Sequence, residues 1–341
     1  VASAFLPDAV GKDYVARYFP ASTKKAIDEI SALTKEAFDA RIRKITWMTE
    51  TTKAYALHKL ATLRFEMGYP EKFREYDGER LDEQDLFGNL EKAMAFRKRL
   101  ELSQLGQVVD KDYWLWGISP QAVNGFYSSR ENRLIVTAAA LQPPFFILGG
   151  DVAVNFGSIG GLIGHEVTHG FDDRGRKYDA EGKLRDWWSK EDTQEFSKRA
   201  EQYGEQYANF TLGLPKGIRI SRELTISENI ADLGGLMTAL DAYHIWLQRQ
   251  KHSYMPELPM LENYGNATLE GDRRLFAGWA QTWRALYRRE IRELLMILDP
   301  HAPGPARATI PVLNTDAWYV AFKVKRSEAL FVDEARRVQI W

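Results

Sequence analysis

The stretch Ile163-Gly164-His165-Glu166-Val167-Thr168-His169-Gly170-Phe171-Asp172-Asp173 carries two histidines four residues apart, with a glutamate directly after the first. On a helix, positions i and i+4 lie on one face, so His165 and His169 can aim ring nitrogens at a single ion. Glu166 sits beside that face, where its carboxylate reaches an ion-bound water without taking a coordination position. With 6 histidines in 341 residues, a chance His-Glu-x-x-His is expected in on the order of one chain in a hundred. The bland alternative is a helix carrying two surface or capped histidines.

Two histidines do not complete a catalytic zinc site, which takes three protein ligands and leaves a fourth position to water. The third belongs on another element. Ser227-Glu228-Asn229-Ile230-Ala231-Asp232 again places two carboxylates, Glu228 and Asp232, four apart on one face of a predicted helix running towards Leu240. Glu228 then serves as ligand, and Asp232 accepts the remaining N–H of a ligating histidine and fixes its orientation. The competing reading of such a pair is a solvated helix face.

The rest of the composition narrows the field. The 45% hydrophobic and 27% charged residues supply a large core for one large or two ordinary domains, and net charge is -1 with scattered basic residues. Nothing here is an electrostatic footprint for nucleic acid or an anionic membrane. The longest apolar runs, such as Leu294 to Leu298, fall far short of the roughly 20 residues that cross a bilayer. With no cysteine, disulfides, thiolate catalysis and cysteine-ligated zinc drop out, so any metal is held by His, Asp and Glu. Residue 1 is Val and no basic segment leads into an apolar run, so the reading is a processed or truncated chain, or one piece of a larger whole.

Helical periodicity covers 26–45, with Ser22 and Thr23 as caps, then about 49–67 closed by Gly68 and Pro70, and 85–105. Residues 123–138 predict two short strands joined by a polar turn, and Pro143-Pro144 interrupts regular structure beyond them. After the glycine-rich run from Val154 to Gly164, helical spacing resumes through His169. The remainder predicts mostly helix, with loops near 211–221, 253–272 and 299–316.

Several motifs occur together and in order: Val123-Asn124-Gly125-Phe126-Tyr127, Leu141-Gln142-Pro143-Pro144-Phe145-Phe146, the His-Glu-x-x-His stretch, Glu228 to Gly235, Asp299-Pro300-His301-Ala302-Pro303-Gly304 with Arg307, and the terminal Trp341. In this the chain resembles the neprilysin and endothelin-converting-enzyme family of zinc endopeptidases (peptidase family M13), with bacterial oligopeptidases among its members, from about Tyr14 to the end. The resemblance implies an α+β, mainly α-helical fold: a thermolysin-like zinc peptidase catalytic domain over 111–341 with a small sheet beside the metal helix. Residues 1–110 would be the end of an N-terminal lobe and linker, their helices belonging to a second, mostly missing lobe. It implies one zinc per chain on His165, His169 and Glu228, Glu166 as general base, Asp232 as the carboxylate behind a ligand, and His301 as oxyanion donor. Asn124 and Arg307 would bind the peptide backbone, with Gly125 standing where the family has alanine and loosening the strand. Phe145, Leu162 and Trp283 would line a pocket favouring a large apolar residue after the cut. The family often has a larger residue at Gly161, which predicts a roomier pocket.

An edge at Val123 to Tyr127 suits an extended peptide backbone, so oligopeptides are the expected substrates. The Trp187-Trp188 pair reads as packing, and His58, His244 and His252 as surface or satisfied core residues. The Asn209 and Asn266 sequons are acceptors only in a eukaryotic secretory route, and the absence of cysteine argues against that origin, since animal members are disulfide-rich. The expected partner is the complementary N-terminal half as a separate chain or cleaved fragment, and the expected compartment is extracytoplasmic in a bacterium. Two rival readings stand beside this one: another metallopeptidase class such as an aminopeptidase, against which the lack of an acidic motif for a free amino terminus counts, and a catalytically silent peptide-binding protein on the same scaffold.

Overall fold

A computed structural model describes residues 2–76, 80–114, 117–214, 217–250 and 267–341. Its elements run α1 (Ala2–Phe5), α2 (Pro7–Tyr18), α3 (Ala21–Lys44), α4 (Glu50–Thr62), β1 (Arg64–Gly68), α5 (Leu86–Ser103), β2 (Gly125–Ser128) and β3 (Arg133–Thr137). Beyond the sheet lie α6 (Val152–Asn155), α7 (Gly161–Thr168), α8 (Lys190–Ala208), α9 (Arg222–Arg249), α10 (Ala267–Thr282), α11 (Arg289–Leu298), α12 (Gly304–Leu313) and α13 (Asp316–Phe322). The three strands form one sheet in the order β1-β3-β2. The mainly helical α+β architecture is the one expected from the sequence. Among the described residues no helix is long and apolar enough to cross a membrane.

Three local expectations are corrected. The helix expected over about 49–67 stops at Thr62, and Arg64–Gly68 is a strand; its pairing with β3 is non-local and overrides the local helical spacing. Helix begins before Ile163, at Val152, and passes through a π-helical turn over Phe156–Gly160 into α7. The loop expected over 299–316 contains α12, opened by Gly304 and Pro305; the proline lacks an N–H only where the helix itself offers no acceptor. His252 and the Asn266 sequon lie outside the described residues.

The chain divides into two compact units. One comprises residues 2–27, 66–125 and 135–142. In it Arg74 donates to Asp8 at 3.2 Å and to the carbonyl of Trp114 at 2.7 Å, while the buried Trp114 indole donates to Glu66 at 2.8 Å.

The other comprises 28–65, 126–134 and 143–341, and its centre is α9, buried along most of its length. Helix α7 lies against α9 through glycines. A Cβ on Gly164 would stand 2.9 Å from the Gly235 carbonyl oxygen, and one on Gly235 would stand 2.7 Å from the His165 nitrogen. Only bare backbone permits this approach, which brings the His165 turn of α7 next to the Glu228 and Asp232 turns of α9. Trp187 and Trp188 are buried, and Trp188 packs edge-on against Phe196 at 5.3 Å, consistent with a packing role.

Candidate metal centre

His165, His169 and Glu228 converge. Their Nε2, Nε2 and Oε2 atoms are separated by 3.0 Å between the histidines, 3.2 Å from His165 to Glu228 and 3.3 Å from His169 to Glu228. Among the described residues this is the one group of three or more His or acidic side chains arranged to hold an ion. Corners of a tetrahedral zinc site with bonds of 2.0–2.2 Å lie roughly 3.3 Å apart, so the donor spacing suits such an ion.

The outer nitrogens are committed. His165 Nδ1–H donates to Asp232 at 2.8 Å and His169 Nδ1–H donates to Asp172 at 2.7 Å. Each carboxylate fixes a tautomer that leaves the Nε2 lone pair pointing inward. Asp232 stands where its spacing with Glu228 predicts. Asp172 is a further residue that sequence reasoning misses, although the i+3 offset from His169 in His-Gly-Phe-Asp is a readable signal.

Asp232 is completely buried and also accepts two hydrogen bonds from Arg307, Nε to Oδ2 and Nη2 to Oδ1, both at 2.7 Å. This planar two-point pair balances a charge that would otherwise be costly to bury. Burial works against ionisation of Asp232, yet Arg307 and His165 hold its carboxyl below the usual range. The guanidinium also stacks on Trp283, 3.7 Å from the ring centre. Trp283 meets Trp279 edge-on at 5.0 Å, and the Trp279 indole donates to the Arg307 carbonyl at 3.2 Å.

For Glu228, burial alone would raise the carboxyl, but the imidazoles of His165, His169 and His301 crowded against it outweigh this and hold the group well below its ordinary value. Glu166 lies buried beside the cluster, its Oε2 without a hydrogen-bond partner among the described residues. Burial pushes its carboxyl up, and Glu228 adds to this while the imidazoles of His165, His169 and His301 oppose it. His301 is half-exposed, with Nε2 3.1 Å from Glu228 and Nδ1–H donating to Asp299 at 2.7 Å. Burial disfavours its charged form, but the two carboxylates prevail and raise it.

Of the remaining sequence-derived residues, Trp283 lines a cavity of about 270 Å³ together with His301 and Arg307, whereas Phe145 and Leu162 do not line it. Phe145 accepts a hydrogen bond from the Ser158 hydroxyl at 2.7 Å through its carbonyl. The roomier pocket expected at Gly161 is corrected, since a Cβ there would lie 2.9 Å from the Trp279 ring, which already fills the space. Asn124 is exposed and Gly125 half-buried in the first unit, where Thr137 Oγ1 accepts the Asn124 backbone N–H at 3.1 Å. His58 is exposed near Glu181, and His244 pairs with Asp272 at 2.7 Å.

Residues 124–338 match the model of peptidase family M13, and residues 1–70 match a second one of the same description. The chain belongs to peptidase family M13. Among M13 relatives, it is 31% identical to neprilysin from Homo sapiens over 344 residues, covering 98% of the chain and 44% of that protein. It is 32% identical to the neutral endopeptidase of Lactobacillus helveticus, covering all of the chain and 49% of that protein. The inhibitor-bound Mycobacterium tuberculosis zinc metalloprotease Zmp1 superposes with a TM-score of 0.87 at 40% identity, over the whole chain and 50% of that structure. PepO from Lactobacillus rhamnosis gives 0.86 at 30% identity, again over the whole chain and 50% of the other. The chain spans about half the length of the curated relatives it matches.

Proposed function

We propose that this chain carries the catalytic portion of a zinc-dependent metalloendopeptidase that hydrolyses oligopeptides, with one zinc held by His165, His169 and Glu228. The observation that carries this reading is the meeting of two Nε2 lone pairs and a carboxylate oxygen within 3.3 Å, each imidazole held from behind by a buried carboxylate. Zinc bound there would supply Lewis acidity, polarising the scissile carbonyl and making water a competent nucleophile near neutral pH.

The chain's own residues supply the rest. Glu166, buried beside the cluster with its carboxyl raised by that burial, accepts the proton of the attacking water and passes it to the leaving amine. His301 donates to the oxygen that becomes negative in the transition state, which favours that state over the bound peptide. Asp232 and Asp172 hold the histidine ligands in their binding tautomer. Arg307 spends Nε and Nη2 on Asp232, leaving Nη1 for a peptide carbonyl. Asn124 and Gly125 are assigned to the substrate backbone. Phe145, Leu162 and Trp283 are assigned to a pocket preferring a large apolar residue after the cut.

The same reading takes 111–341 as catalytic and 1–110 as the closing part of a helical lobe. Because the M13 relatives are about twice as long, an N-terminal half completes the working enzyme, and extracytoplasmic placement in a bacterium is proposed. The test uses the protein at its natural length and its Glu166→Gln variant: metal content by elemental analysis, and cleavage of a quenched fluorescent oligopeptide library. One zinc per chain in both, with cleavage only in the parent, is the expected result. Absence of zinc overturns the reading; zinc without cleavage favours a silent peptide-binding scaffold.

A further inference from the structure

Helix α4 contributes a lysine to the interior of the second unit. Its N-terminus is capped by Thr49, which accepts from the Thr52 N–H and donates to Asp192 at 2.6 Å. Its buried face is Thr52, Ala56, Lys59 and Leu60. Lys59 is 1% exposed. Its Nζ donates to the carbonyls of Gly170 at 2.7 Å, Gly175 at 2.8 Å and Tyr178 at 2.7 Å, and the rings of Phe171, Tyr127 and Trp187 surround it at 5.6, 5.8 and 6.0 Å. The end of α4 is held as well, since Asn132 Nδ2 donates to the Lys59 carbonyl at 2.9 Å.

The three carbonyls belong to the turn that leaves His169. That turn carries Asp172, whose Oδ2 takes the His169 Nδ1–H, while Oδ1 takes the N–H groups of Arg174 at 2.8 Å and Gly175 at 2.6 Å. Three carbonyl oxygens aimed at one point repel each other unless a cation or donor cluster stands there. Burial pushes the Lys59 ammonium down to about 7, with Asp172 and Asp179 acting the other way; three acceptors call for three N–H bonds, which only the ammonium has. A lysine serving merely to fill the core would be replaceable by an apolar chain of equal length, but here that exchange strands all three acceptors.

We propose that Lys59 is a positioning residue for the metal centre: its ammonium closes the 170–178 turn and so aims Asp172 at His169. This rests on the metal reading of His165, His169 and Glu228. The chain has a built-in comparison, because His165 is held by Asp232 and Arg307 without Lys59.

The experiment measures zinc affinity by chelator competition in the natural-length protein, in Lys59→Met, Asp172→Asn and the double variant, with the imidazole Nδ1–H protons followed by NMR. Lys59→Met should weaken zinc roughly 10- to 100-fold, the range seen when a group behind a metal ligand is lost. It should speed exchange of the His169 Nδ1–H and leave that of His165 unchanged. The double variant should bind zinc no worse than Asp172→Asn, since coupled residues are non-additive. Lys59→Gln, keeping two donors, should fall between. Unchanged affinity in folded Lys59→Met, additive losses, or equal loosening of both histidines would overturn the proposal in favour of a general core role. So would failure of Lys59→Met and Lys59→Gln to fold in saturating zinc. Absence of zinc from the parent would instead sink the metal reading on which this one rests.

Discussion

At the scale of single residues, the candidate centre is defined by what stands behind its proposed ligands. His165, His169 and Glu228 are neighbours because helices place them so, yet their lone pairs converge only because Asp232 and Asp172 occupy the opposite nitrogens. Asp232→Asn should test this sharply. The amide turns an N–H towards His165 or Arg307, so zinc affinity should fall roughly 10- to 100-fold. The buried Arg307 should be left uncompensated at a cost of about 3–5 kcal/mol. Chelator competition reads the first and urea unfolding the second. Much of this is legible in the sequence: His165 with His169, and Glu228 with Asp232, are i,i+4 pairs whose meaning is local. Arg307 is legible only as a substrate contact, because its pairing with Asp232 bridges 75 residues and no periodicity records it.

At the scale of elements, the decisive contact is glycine against glycine between α7 and α9. Gly235→Ala would push a methyl to 2.7 Å from the His165 nitrogen, and backbone cannot swing aside as a side chain can. A destabilisation of about 1–3 kcal/mol is expected, with weaker zinc binding, both read from thermal melts with and without metal. Helices α9 and α10 are joined by His244 and Asp272. The hydrogen bond to Asp272 raises the His244 imidazole above its ordinary 6.5, against partial burial. This contribution is therefore fully present below about pH 6.5 and fades as pH rises through the raised folded value. In urea titrations the gap between parent and His244→Gln should shrink steadily from pH 6 to pH 9. Solvent screening keeps the effect modest, because the imidazole is about one-third exposed. Two of the misreadings share one cause. β1 is a strand by virtue of β3, and the space at Gly161 is decided by Trp279, so the deciding partner lies far along the chain in each case.

At the scale of the whole molecule, the unit that holds the candidate metal centre is stitched from three stretches, 28–65, 126–134 and 143–341. A chain cut to 143–341 keeps every proposed zinc ligand but lacks Lys59, the Thr49 anchor on Asp192 and the Asn132 clasp. It should show no cooperative melt and no tight zinc, in contrast to the uncut chain under identical conditions. The same stitching sets a clock on synthesis. Lys59 precedes its last acceptor, Tyr178, by 119 residues, and at roughly 5–20 residues per second a ribosome takes about 6–24 s to supply it. For that interval the nascent chain holds an amphipathic α4 with nowhere to bury its inner face, a window in which a chaperone or an early partner would find it open.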